Sequence, residues 1–176
     1  MRVGFVPSPG PSCDGTHVVA ELEAAPALVH PIGCMLPSIT VPAAPSGEDF
    51  QAIFRLLDDF NSPVVGPARF VPLAALIHDE AGTVTGGLWG CTVYAWLSIN
   101  MLFVPEALRR RGIGAALVHT AETEARTRGC IGMQVDTFGF QAQPFYERLG
   151  FTVHGVHPNF PPGQRCVFLH KRFDGV

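Results

Sequence analysis

Charge is scarce in this chain. Only 15% of its 176 residues are Asp, Glu, Lys or Arg, and the formal net charge is −3. That balance gives no basic field for a nucleic-acid backbone. Three of the arginines sit in one short run, Arg109-Arg110-Arg111, which suits a local anion better than a long polyanion. Paired cysteines are lacking too. Cys13, Cys34, Cys91, Cys130 and Cys166 are odd in number, far apart and never spaced Cys-x-x-Cys. This argues against a disulfide framework or a structural zinc and for reduced thiols in a cytoplasm. His154 and His157 are three apart on a segment that reads as a strand leading into Pro158, where two rings do not converge, so no metal is expected. No run of eighteen apolar residues exists, and the first nine residues hold no sustained apolar stretch, so neither a membrane span nor secretion is expected.

Apolar bulk is what the chain has instead. Hydrophobic residues make up 47%, enough to fill the core of one domain at this length. Eight of the sixteen prolines fall within the first 45 residues. This divides the chain into a Pro-rich N-terminal extension, residues 1–37, and a domain, residues 38–174. Within the extension, Val18 to Val29 fits a short helix or a strand. Three readings of it stand open: a poorly ordered tail, a start site at Met35, or an apolar arm that docks on the domain.

Further on the pattern sharpens. Ser46 or Gly47 can cap a helix carrying Glu48 and Asp49 in its first turn and Phe50, Ile53, Phe54 and Leu57 at helical spacing. Pro63, Gly66 and Pro67 predict a loop. Strands are expected at Ser38–Val41, Val71–His78, Thr83–Tyr94, Ala95–Val104, Ile131–Thr137, Phe151–Val156 and Arg165–Arg172. Helices are expected at Ile113–Arg128, stopped by Gly129, and at Gln143–Leu149, stopped by Gly150.

The densest signal is Leu102 to Leu117. An apolar strand pattern runs into a charged turn, two glycines and a helical pattern. Gly112 and Gly114 remove side chains where backbone would approach a ligand. The helix behind them offers unpaired N–H groups and the positive end of its dipole. The same pattern fits a plain strand-to-helix connection. It is not a Walker A loop, having no Gly-Lys-Ser/Thr, and not a dinucleotide fingerprint, because position 117 is Leu.

A second motif, Pro144-Phe145-Tyr146-Glu147-Arg148-Leu149-Gly150-Phe151, follows about thirty residues later. The pair resembles the GNAT superfamily of N-acetyltransferases. The resemblance implies an α/β fold with a mixed, mostly antiparallel central sheet and helices on both faces. It implies acetyl-CoA as co-substrate and no metal. Arg109 to Gly114 match the family's pyrophosphate loop, so Arg109, Arg110, Arg111, Gly112, Ile113, Gly114 and Ala115 are expected to bind the cofactor. Backbone groups of Leu102, Phe103 and Val104 are expected to pair with pantetheine, as an added strand would.

Acetyl transfer to an amine needs a group to take the ammonium proton, a donor for the oxyanion and a proton for the departing thiolate. Tyr146 matches the family's general acid, and a packing tyrosine is the other reading. Asn100 stands where the most similar subset often has an acid, and an amide accepts no proton. Asp136 is then the best candidate base, with a strand-end carboxylate bonded to backbone as the alternative. Glu106 reads as a helix cap. The run Asp136-Thr137-Phe138-Gly139-Phe140-Gln141-Ala142 resembles a signature of a bacterial GNAT subset, in which Gln164 would replace a His. Trp96, Asn100 and Phe138 are candidate acceptor-binding residues; Trp89, Trp96, Phe138 and Phe140 read either as an aromatic wall for the acceptor or as core packing. The expected function is N-acetylation of a small-molecule primary amine in the cytoplasm, without nucleic acid or membrane partners. A homodimer, a protein or peptide acceptor, and a non-catalytic acyl-CoA-binding module stay open.

Overall fold

The computed structural model describes residues 37–173. The proposed extension, with Val18–Val29 and Met35, lies outside the described residues except for its last position. The chain divides into two units, one ending at Leu57 and one starting at Asp58.

In the first unit, residues 37–46 form no strand. The strand expected at Ser38–Val41 is absent, and Ile39 and Val41 are 95% and 96% exposed. Two β-branched residues do not hold a strand without a neighbour to pair with and a face to bury. Helix α1, Gly47–Val65, starts where expected. Ser46 Oγ accepts from Asp49 N at 3.1 Å, and Asp49 Oδ2 accepts from Ser46 N at 2.8 Å. These reciprocal bonds form a capping box. The helix crosses the unit boundary and includes Pro63, where the sequence predicts a loop. It ends instead before Gly66, whose φ of 76° ordinary residues avoid. Asp58 Oδ1 then accepts from Ala68 N at 2.8 Å and turns the chain toward the sheet.

The second unit carries six strands: β1 Val71–His78, β2 Val84–Val93, β3 Trp96–Phe103, β4 Gly132–Phe138, β5 Thr152–Pro158 and β6 Arg165–Arg172. Their order is β1-β2-β3-β4-β6-β5. Every neighbouring pair is antiparallel except β3–β4, which is parallel. A parallel pair needs a crossover. It is supplied by a 3-10 turn, Glu106–Leu108, and helix α2, Ile113–Thr127; a short helix α3, Gln143–Arg148, precedes β5. The sheet is therefore mixed and mostly antiparallel, as the sequence suggests.

Alternation along the strands separates two faces. Leu97, Ile99, Met133, Val135, Val167 and Leu169 point to one side and are buried with Leu117, Val118, Ala121 and Ala125 of α2 and Tyr146 of α3. One charged residue, Glu122, is only 8% exposed beside that core. Lys171 Nζ donates to its Oε2 at 2.7 Å and Arg126 Nη2 to its Oε1 at 2.7 Å. Burial pushes the Glu122 carboxyl up, and the bonds from Lys171 and Arg126 outweigh this and hold it below its ordinary range. The pair ties α2 to β6.

Candidate active site

The site begins where strand pairing stops. Strands β3 and β4 share four register pairs, Trp96↔Gly132 through Ile99↔Val135. Beyond them β3 stays with β2 as far as Phe103, and β4 stays with β6 as far as Phe138. The two strands part, and each shows an unpaired backbone edge to the gap. A bulge marks the start of the split. Met101 faces Trp89 and Ile99 faces Gly90, so Asn100 is an extra residue on β3. The gap opens into a cleft of about 1040 Å³.

One part of the cleft presents the uncapped start of a helix. Arg110 has φ 58° and Gly112 φ 81°, the left-handed turns that curl successive N–H groups inward. Helix α2 begins at Gly112 with no side-chain cap. Its first internal bond runs from Ala116 N to Gly112 O at 3.0 Å. The N–H groups of Ile113, Gly114 and Ala115 precede it and have no helical partner. Gly112 is required here by its φ. Gly114 has a different reason. A Cβ there would stand 3.3 Å from Phe145 Cζ and 3.8 Å from Val104 Cγ2, so the missing side chain lets Phe145 of α3 pack against α2. Arg109 Nε donates to Val104 O at 3.0 Å and ties the loop to the end of β3. That carbonyl, expected to serve pantetheine, is already engaged. Glu106 opens the 3-10 turn and does not cap α2; its carbonyl accepts from Arg109 N at 3.1 Å.

The other end holds Tyr146 and Asp136. Tyr146 is 5% exposed, with Phe145 and Phe151 edge-on at ring distances of 5.0 and 5.5 Å. Burial and then the nearby Asp136 carboxylate push its phenol up to about 12. Asp136 stands on the exposed side of β4. Cys166, fully buried on β6, donates its thiol to Asp136 Oδ2 at 3.7 Å. Burial and the same carboxylate push the thiol up to about 11, which keeps it a neutral donor.

The cleft brings together most of the residues singled out from the sequence. Leu102, Phe103, Val104, Arg109, Arg110, Gly112, Ile113, Gly114, Ala115, Asn100, Asp136 and Tyr146 all line it. Three do not. Arg111 is exposed beside the loop. Trp96 lies at the paired end of β3 over Gly132, where a Cβ would come within 2.6 Å of its Cζ3. Phe138 closes β4 next to the cleft, in an aromatic cluster with Phe140 and Phe160. Sequence reasoning missed Ile99, Met101 and Val135 as lining residues and gave no role to Thr137, Gln141 and Ala142, while Phe145 and Arg148 fall in its second motif. The Asp136–Ala142 run held the signal. Gln141 Oε1 accepts from Phe138 N at 2.9 Å and Thr137 Oγ1 at 3.2 Å, which locks the turn that leads into α3. The expected lack of convergence between His154 and His157 also left a pairing unseen. His154 meets His170, Nδ1 to Nδ1 at 3.2 Å, across β5 and β6. Burial and the His170 charge push His154 down.

A sheet that splits between two parallel strands, with a nest of N–H groups at one end of the split and a phenol and a carboxylate at the other, is the framework of an acyl-group transferase. The chain belongs to the acetyltransferase (GNAT) family, whose model matches residues 43–151. It is 46% identical over 123 residues to an acetyltransferase of Agrobacterium fabrum, covering 70% of this chain and 90% of that one. It is 36% identical over 127 residues to the blasticidin-S acetyltransferase of Streptomyces morookaense, covering 66% and 93%. Among solved structures, a protein of Agrobacterium tumefaciens described as an acetyltransferase superposes with a TM-score of 0.71 at 38% identity, over 78% of this chain and 100% of that one. Among the described residues no helix is long and apolar enough to cross a membrane.

Proposed function

We propose that this acetyltransferase uses acetyl-CoA to acetylate a primary amine of a small molecule, with residues 38–174 as its catalytic domain. One observation carries the reading: a single cleft runs from the unpaired N–H groups of Ile113 to Ala115 to the side chains of Asp136 and Tyr146. The nest and the Arg109 and Arg110 guanidiniums suit a pyrophosphate. The unpaired edge of β3 at Met101 to Phe103 suits the amides of an extended pantetheine. The relative named for blasticidin S supports a small-molecule acceptor.

The chemistry follows from the groups at the far end. Asp136 takes a proton from the bound ammonium and frees its lone pair. The amine attacks the thioester carbonyl, a C–N bond forms and the C–S bond breaks. Backbone N–H groups at the Asn100 bulge are the nearest donors for the oxyanion. Tyr146 is neutral at pH 7, because its phenol is pushed up to about 12. It gives its proton to the leaving thiolate and takes back the second proton that the newly acylated nitrogen must lose, so the phenol is restored. Cys166 holds one oxygen of Asp136 and leaves the other for the amine.

Two measurements on the purified full chain test this. Thiol release from acetyl-CoA is followed with a panel of small amines and peptides, and melting is followed with added acetyl-CoA. Turnover with small amines is expected. At a hundred times its dissociation constant, acetyl-CoA should add about 2.7 kcal/mol of stability. Turnover with peptides alone would replace the acceptor class. Stabilisation without any turnover would make the protein an acyl-CoA-binding module. No stabilisation at millimolar acetyl-CoA would remove the cofactor itself.

A further inference from the structure

Three phenylalanines stand together just past the chemical end of the cleft. Phe138 closes β4, Phe140 follows it in the turn, and Phe160 comes from the β5–β6 connection. Phe138 and Phe140 are stacked at 5.7 Å with planes 27° apart, and Phe160 meets Phe138 edge-on at 5.9 Å. The His157 ring lies 5.4 Å from Phe160. Such contacts are ordinary inside a core, but these rings are not inside one. Phe140 is 64% exposed and Phe160 50% exposed. None of the three belongs to the main core cluster.

The backbone beneath them is fixed. Gln141 holds the amide of Phe138. Gly139 N donates to Arg165 O at 2.8 Å, and Phe160 N donates to Gln164 O at 3.1 Å. Arg165 lies across Gly139, and its Nη2 donates to Gln143 Oε1 at 3.2 Å. Exposed apolar rings on locked turns are preorganised for a ligand, since little order is lost when they bind one. Their position adds to this. Phe138 is two residues beyond Asp136, on the same side of β4. Gln141, in the same turn, already lines the cleft. An amine held at Asp136 has to extend its body over this rim.

We propose that Phe138, Phe140 and Phe160 receive the body of the acceptor, and that the acceptor is an amine carrying a flat conjugated ring. This rests on the function proposed above. A flat ring continues the Phe138–Phe140 stack or meets its edge, and both arrangements favour aromatic over saturated rings of the same bulk. The ammonium is drawn to Asp136 and to the ring faces alike.

The test uses two amines of nearly equal bulk, 2-phenylethylamine and 2-cyclohexylethylamine, with kcat/KM for each expressed per free amine at the assay pH. The full chain should show kcat/KM for the phenyl compound about three- to tenfold higher. Phe140→Ala, Phe160→Ala and Phe140→Leu should remove most of that preference through KM, with KM for acetyl-CoA unchanged. Phe140→Leu keeps apolar bulk and loses only the flat face. Equal kcat/KM for the two amines overturns the proposal, as does an equal loss on both in the variants. If no amine turns over, the function reading fails. The rim is then judged by equilibrium binding of 2-phenylethylamine alone: binding weakened in Phe140→Leu sustains it, and absence of binding overturns it. Sedimentation of the same variants covers the remaining occupant. Dissociation of a dimer in Phe140→Ala and Phe160→Ala would make the rim a subunit contact and overturn the proposal.

Discussion

At one end of β3 and β4 the two strands hold each other, and at the other they part. The paired end, Trp96–Ile99 against Gly132–Val135, buries one apolar face. Leu97 and Met133 are fully buried there, and Trp96 covers a glycine. The parted end carries exposed Met101 and Phe103, the bulge at Asn100, and the carboxylate of Asp136. The same two strands therefore do opposite work along their length. Where they pair, alternation fills the core. Where they part, the backbone edges are unpaired, and the proposed chemistry falls there. A change at one end should be felt in stability, and a change at the other in turnover.

The largest effect is expected at the parted end. Tyr146→Phe keeps the ring between Phe145 and Phe151 and removes only the hydroxyl. Turnover should fall by about 10² to 10⁴, the usual cost of a lost general acid. The melting temperature and KM for acetyl-CoA should barely move. Full activity in this variant would take the tyrosine out of the mechanism and blur the division between the two ends.

Leu97→Ala makes the converse change at the paired end. It should cost about 2–5 kcal/mol of stability, because a buried leucine in a close-packed core leaves a cavity behind. Denaturant melts measure this. In conditions where the variant is folded, its KM values should match the parent. A large loss of acetyl-CoA affinity with little loss of stability would show that the two ends are not separate.

A smaller effect sharpens the comparison on β6, where Lys171 stands opposite Met133. Lys171→Met removes one charged partner of Glu122 and should cost about 1.5–3 kcal/mol at pH 7. Glu122 is held below its ordinary value of 4.5 in the folded protein. Its stabilisation is therefore complete above the unfolded value and is lost as pH falls through the lower folded value. The stability curves of parent and variant should converge below pH 4.5. A gap that stays constant down to strong acid would mean that packing of the Lys171 stem, and not the ion pair, is responsible.

Much of the sheet was legible in the sequence. Val71–His78 and Arg165–Arg172 match their strands residue for residue, because alternation and flanking turn residues are local signals. The turn into α2 was legible as well, since Gly112 and the helix behind it form one continuous segment. What was hidden depends on partners. The strand at Ser38–Val41 failed because nothing pairs with it. The bulge at Asn100 shows only when β2 is laid beside β3. Trp96 reads as an acceptor residue by type, yet its register with Gly132 places it in the closed half. Gly114 reads as a ligand contact, yet Phe145 accounts for it. Cys166 drew notice only as an unpaired thiol, and its contact with Asp136 exists only because β4 and β6 are neighbours.

The short seam between β3 and β4 also bears on how the molecule assembles. Strands β1, β2 and β3 form a meander joined by tight turns, and β5 and β6 form a hairpin. Each can close over short stretches of chain. The seam joins the two halves of the sheet through four residue pairs, across the whole 3-10 turn and α2 crossover. Closing so long a loop for so few pairs is the costly step in ordering such a chain. The halves should form early and the seam late, so the split lies along the last line of the sheet to close.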